Sequence, residues 1–261
     1  MENLNQYRKK KMSFIVKRAT GPVALDGDFE NDPQWKNANT ISIANRMYPK
    51  YNLFKRLWRK WTGVEEQEAR DPYCPVTDLK VLYDDRFIYA LFRVRDQYVR
   101  AVASKYGDQA CTDSCVEFFI KPGNTDRYYN FELTAGGFML LYNVKDLRGG
   151  DFIPVSEQEI KTIKIYHSLP PIVDPEIREM VYFDNNGKLQ RSPLTWYAGF
   201  AVPIELFAKL GDNFNAALSG QTWTANAYKC SDTSHPHWLT WLPIPKLDFH
   251  LPAYFGDITF E

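Results

Sequence analysis

Cysteine is scarce in this chain of 261 residues, and the four present, Cys74, Cys111, Cys115 and Cys230, form neither a CxxC pair nor a dense framework. That spacing suits free thiols in a reducing compartment better than a disulfide scaffold. Net charge is missing as well. The 32 Lys and Arg balance 32 Asp and Glu, so no global field draws the molecule to nucleic acid or to an anionic membrane. Long apolar runs are absent: Ser13-Phe-Ile-Val is cut off by Lys17 and Arg18, too short for a signal-peptide core or a membrane span. Read as given, the chain is expected to be cytoplasmic, although a form whose export signal had been removed, extracellular or periplasmic, would read the same. There is also no nucleophile elbow, P-loop, HExxH or glycine-rich dinucleotide turn, which argues against an enzyme.

What is present is aromatic and strand-like. The 7 Trp, 16 Tyr and 17 Phe can either fill a core or offer flat faces to sugar rings, and composition does not separate the two uses. Short apolar or alternating runs between turn signals predict strands over 79–83, 88–95, 115–120, 128–133, 138–143, 160–167, 196–203, 223–229 and 255–260. Asp84-Asp85-Arg86 and the stretch 122–126 read as hairpin turns. So many short strands imply an all-β fold, a two-sheet antiparallel sandwich with short helices. One such helix is expected between Pro203 and Gly211, and a helical turn before Trp35 should pack that ring onto the sandwich. Residues 1–12 read as a basic, flexible tail, and 13–261 as one β-domain with an insertion at about 48–75.

Within that insertion Phe54, Leu57, Trp58 and Trp61 recur at helical spacing, with Lys55, Arg56, Arg59 and Lys60 on the other side. Two uses stay open: a surface that docks a protein partner through Phe54, Trp58 and Trp61, or a helix that caps the sandwich with Trp58 and Trp61 buried.

Several sets of residues bear on chemistry. Asp113 and Glu117 are carboxylates near one another on a strand, the minimum for a cryptic glycan-active hydrolase. Cys230, His235, His237 and His250 are close in sequence, but C-x4-H-x-H matches no zinc spacing, and bracing of loops is the simpler use. Asp26, Asp28, Glu30 and Asp32 resemble a calcium loop, yet Asn31 and Asn37 stand where an EF-hand needs Gly and Glu. No cofactor is implied; calcium would serve only to brace a loop. Sugar binding needs an aromatic face and polar groups for hydroxyls. Strand parity puts Glu117 away from Phe118, and Asn226 with Tyr228 away from Ala225 and Ala227.

Read in order, Leu25-Asp26-Gly27 with Trp35, Val81-Leu-Tyr-Asp-Asp-Arg-Phe-Ile-Tyr, Asp113-Ser-Cys-Val-Glu-Phe-Phe-Ile, Tyr129-Asn-Phe-Glu-Leu with Gly136-Gly137, Trp196 with Pro203, and Tyr254-Phe-Gly-Asp-Ile resemble a family 9 carbohydrate-binding module. The resemblance runs from about Phe14 to the end and implies a jelly-roll-type sandwich related to the DOMON group. It implies a non-catalytic binder of an oligosaccharide or polysaccharide chain end, accessory to glycan degradation. Carried over by motif, the contacts are Glu117, Asn226, Tyr228 and Phe249. A second stacking aromatic should lie just before Asp113, where this chain has Cys111, with Tyr106 or Trp238 as substitutes. Some DOMON relatives carry haem, for which Met139 and His250 would be the axial pair.

Overall fold

A computed structural model of the protein describes residues 13–49, 57, 60–61, 73–123, 125–178, 180–211 and 217–261. The described strands, in chain order, are β1 (Ser13–Arg18), β2 (Thr40–Ile43), β3 (Asn45–Met47), β4 (Val76–Tyr83), β5 (Phe87–Asp96), β6 (Val99–Ala101), β7 (Cys115–Lys121), β8 (Tyr128–Thr134), β9 (Met139–Leu140), β10 (Tyr142–Asp146), β11 (Asp151–Pro154), β12 (Lys164–His167), β13 (Val173–Ile177), β14 (Met180–Phe183), β15 (Leu189–Ser192), β16 (Leu194–Pro203), β17 (Thr222–Ser231), β18 (His237–Thr240) and β19 (Gly256–Phe260). Short helices are α1 (Pro33–Asn37), α2 (Glu157–Ile160) and α3 (Ile204–Lys209).

The strands make an all-β sandwich. One layer runs β11-β10-β8-β7-β17-β19-β1 and the other β1-β4-β5-β16-β12. β1 belongs to both. Its first residues pair with β19, from Ser13 opposite Asp257 to Val16 opposite Phe260, and its last two pair with Leu82 and Tyr83 of β4. Both pairings are parallel, so the antiparallel sandwich expected from turn spacing is interrupted at this seam.

Parity decides what each strand buries. Val116, Phe118 and Ile120 of β7 and Tyr129, Phe131 and Leu133 of β8 point between the layers, together with Trp196, Phe200 and Trp223. Phe131 stacks on Phe200 across the layers, 5.1 Å between ring centres. α3 begins after Pro203, as the sequence predicts, and sets Phe207 edge-on to Tyr129 and Trp223. α1 is capped by Asp32, whose carboxylate accepts from the Gln34 and Trp35 backbone. The buried Trp35 ring donates to Ala24 O at 2.6 Å. One inward position of β17 is polar: Lys229 is fully buried, its Nζ 3.7 Å from Asp96 and 2.8 Å from His237 Nε2.

Two expected strands are shorter than predicted. The stretch 138–143 is split between β9 and β10. At 160–167 the first residue closes α2 instead, because Ser156 and Glu159 form a reciprocal capping box that nucleates a helical turn. The basic tail over 1–12 and most of the amphipathic segment, including Phe54 and Trp58, lie outside the described residues. Leu57, Lys60 and Trp61 are helical, and Trp61 is 85% exposed, which contradicts its burial under a capping helix. Among the described residues no helix is long and apolar enough to cross a membrane.

Candidate functional site

The outward face of the β7–β17–β8 layer is also largely covered, and there the polar residues gather. Cys115, Glu117 and Phe119 alternate with the core residues of β7; Tyr128, Asn130 and Glu132 do so on β8, and Asn226, Tyr228 and Cys230 on β17. Over this face the stretch around Phe249 and the turn at Cys111 leave a cavity of about 370 Å³. Glu117, Asn130, Glu132 and Cys230 form its floor; Phe249, Trp238, Tyr142 and Cys111 supply apolar walls, and Gln109, Arg148, Asp232, Asp248 and His250 add polar groups.

The four sequence-derived contacts fall into two groups. Glu117 and Phe249 both line the cavity. Tyr228 lies one layer behind: fully buried, it stacks on Phe249 with ring centres 4.1 Å apart and planes 12° apart, and its hydroxyl donates to Phe249 O at 2.9 Å. Tyr228 therefore covers one face of Phe249 and fixes the other as the face a ligand can meet. Asn226 is taken up by backbone: its amide donates to Leu242 O and its oxygen accepts from the Leu242 and Ala227 N–H groups. It does not line the cavity.

The loop that carries Phe249 is held by charge and ring contacts. Asp248 accepts from Arg148 at 3.0 Å and pairs with Lys246 at 3.1 Å. Burial would raise its pKa, but these two cations outweigh burial and hold it below the usual carboxylate range. His250 Nδ1 shares a 2.8 Å hydrogen bond with the Tyr128 hydroxyl, and burial pushes its pKa down to about 4, so the ring is neutral near pH 7. On the floor, Glu117 faces Glu132 across β7 and β8. Burial raises both carboxyls, Glu132 to about 7, despite the Asn130 amide that donates to it at 2.8 Å. Glu117 is raised further by Cys230 and Glu132, and its Oε1 accepts from Cys230 Sγ at 3.1 Å. The cavity thus offers carboxyl groups of raised pKa, amides, a neutral imidazole and the hydrogen-bonded carboxylates of Asp232 and Asp248, a set suited to hydroxyl groups.

Other expected constellations are not assembled. Asp113 does not pair with Glu117; its carboxylate accepts from the Val102 and Ala103 backbone. His235 stacks on Tyr98, ring centres 4.2 Å apart, and His237 bonds Lys229, so Cys230 and the three histidines form no common site. Met139 is in the core between the layers while His250 lines the cavity, which rules out the haem-type axial pair. In the loop at 26–32, Asp26, Asp28 and Asp32 accept from nearby backbone and Glu30 pairs with Arg93. Cys111 does line the cavity where a second aromatic was expected; of its two substitutes Trp238 lines the same cavity, whereas Tyr106 packs against the core near Phe138. Asn130, Glu132, Arg148 and Asp248 were missed. For Asn130 and Glu132 the signal was available, since they alternate with Tyr129 and Phe131 on the strand beside Glu117.

A sandwich with an aromatic-walled, hydroxyl-matching cavity on one sheet is the build of a carbohydrate-binding module. The chain belongs to carbohydrate-binding family 9, whose model matches residues 60–260. It is similar in fold to a Bacteroides uniformis protein provisionally described as carbohydrate-binding, at 24% identity and a TM-score of 0.69, with 95% of this chain and 99% of that one covered. It is also similar to a family 9 module from Caldicellulosiruptor kristjanssonii in complex with cellotriose, at 11% identity and a TM-score of 0.54, over 96% of this chain and 94% of that one. A structure of such a module from the same organism with glucose matches at 12% identity and the same TM-score, over 96% of each chain. No curated protein sequence matches the chain.

Proposed function

We propose that this protein is a non-catalytic module that takes the end of a saccharide chain into the cavity beneath Phe249, as an accessory to glycan breakdown. The observation that carries the reading is the joint placement of Phe249, pinned on its rear face by Tyr228, and Glu117 on the lining of one cavity. An aromatic face takes the apolar side of a pyranose while carboxyl and amide groups exchange hydrogen bonds with its hydroxyls. The volume, about 370 Å³, lies near the lower end of ligand pockets, about 300–1,000 Å³, which favours a chain end over an extended run of sugar units. Modules of this fold held with glucose and with cellotriose support the same reading.

Calorimetric titration with mono- and oligosaccharides, with free and chemically blocked reducing ends, tests this. We expect heat that vanishes on blocking, and roughly tenfold weaker binding in Phe249→Ala, since a stacking contact is worth about 1 kcal/mol or more. Absence of heat with every sugar overturns the reading, as does unchanged affinity in both Phe249→Ala and Glu117→Ala.

A further inference from the structure

The cavity floor contains a second constellation, which shares Glu117 with the saccharide reading and adds two thiols that reading does not use. Cys115 and Glu117 are two apart on β7 and so share a face; Cys230 of β17 stands directly opposite Cys115. Their ligand atoms, two sulfurs and a carboxylate oxygen, all lie within 4.8 Å of one another, and all three residues are buried. We propose that Cys115, Cys230 and Glu117 bind a thiophilic divalent cation of the zinc class, with the remaining coordination position opening on the cavity beside Cys111.

The geometry and the chemistry agree. Four-coordinate zinc takes thiolates at about 2.3 Å and carboxylate oxygen at about 2.0–2.2 Å, so donors in a tetrahedral site stand roughly 3–4 Å apart. Cys230 Sγ and Glu117 Oε1 are already at 3.1 Å. Small buried cysteines alone would be ordinary packing, but here they surround a buried carboxyl whose hydrogen bond, among the described residues, comes from a thiol, a weak donor. A cation replaces the protons of both thiols and of the carboxyl and gives the carboxylate the strong partner that buried charge requires. Two thiolates with one carboxylate select a soft or borderline ion over calcium or magnesium. Cys230 and Glu117 line the cavity, which provides the entry path.

The test is titration of the reduced, metal-free full chain with Cd2+ and Zn2+, followed by ultraviolet difference absorption on the short-wavelength side of the aromatic bands. The expected result is a thiolate-to-metal charge-transfer band that saturates at one equivalent and a higher melting temperature with metal. Cys230→Ser and Cys115→Ser lose the band, while Cys74→Ser, on a thiol outside the cavity, retains it. If the fully buried Cys115→Ser fails to fold, Cys230→Ser and the near-isosteric Glu117→Gln carry the test, the latter as weakened affinity with native circular dichroism. No band in the wild-type chain, or a band that is lost in Cys74→Ser but kept in folded Cys230→Ser, overturns the proposal. Sugar titrations run with chelator present keep the two readings separable: saccharide heat without metal leaves only the cation site in question.

Discussion

Asn226 faces the same side of β17 as Tyr228, as strand parity requires, yet it serves the fold. Its amide satisfies both backbone groups of Leu242 and so fixes the chain where it leaves β18. Asn226→Ala takes the partner from the buried Leu242 N–H, while Leu242 O keeps the Thr240 hydroxyl, and an unpaired buried donor costs about 1–3 kcal/mol. The expected outcome is a urea midpoint lowered accordingly, with saccharide affinity of the folded protein unchanged. Glu132 carries a different prediction. Its carboxyl rises from the ordinary 4.5 to about 7 in the fold, so the native state holds a proton that the unfolded chain releases. That contribution is full below about pH 4.5 and is lost as pH rises towards 7. His250, lowered from 6.5 to about 4, has the opposite sign: its contribution is full above about pH 6.5 and is lost as pH falls towards 4. The pH profiles of unfolding free energy should therefore differ between the wild type and Glu132→Gln: relative to the variant the wild type loses stability between about pH 4.5 and 7, and parallel profiles contradict the assignment. The residue scale also shows what sequence could reach. Glu117 and Phe249 were accessible through motif order, because each sits in a distinctive run. Arg148 and Asp248 were not, since their pairing joins positions 100 residues apart. Nor was Lys229, which occupies an alternation site that reads as core yet is paired with Asp96 from another strand.

At the scale of elements, local chemistry was legible and distant pairing was not. The β4–β5 hairpin follows from Asp84, whose carboxylate accepts from the Arg86 and Phe87 backbone, an interaction written within four residues. Helix α3 was equally visible from Pro203 and Gly211. The parallel pairing of β1 was invisible, because an apolar run carries no mark of the strand it will meet more than 200 residues later. The Gly136-Gly137 turn between β8 and β9 shows why the element depends on its glycines. Gly137 has φ of 88°, and a Cβ there would collide with the His167 ring. Gly137→Ala should cost about 1–2 kcal/mol from the left-handed backbone alone, with more from the collision. A melting temperature lower by several degrees would record it, and an unchanged one would show that the turn can relax.

At the scale of the whole molecule, the two layers depend on β1 and β19. Phe260 is fully buried against Trp223 and Tyr83, and the Glu261 N–H returns to Val16 O. Removing residues 256–261 takes the strand between β17 and β1 out of its layer. The expected result is loss of a cooperative denaturant transition and of near-ultraviolet dichroism, not a modest shift in midpoint.

The same seam has a mechanical consequence. β1 and β19 run side by side in the same direction, so tension applied between the chain entering β1 and the chain leaving β19 pulls them lengthwise past each other. Force then falls on their hydrogen bonds together instead of peeling them one at a time. Pulled between its two ends, the domain should yield at a higher force than one whose terminal strands unzip.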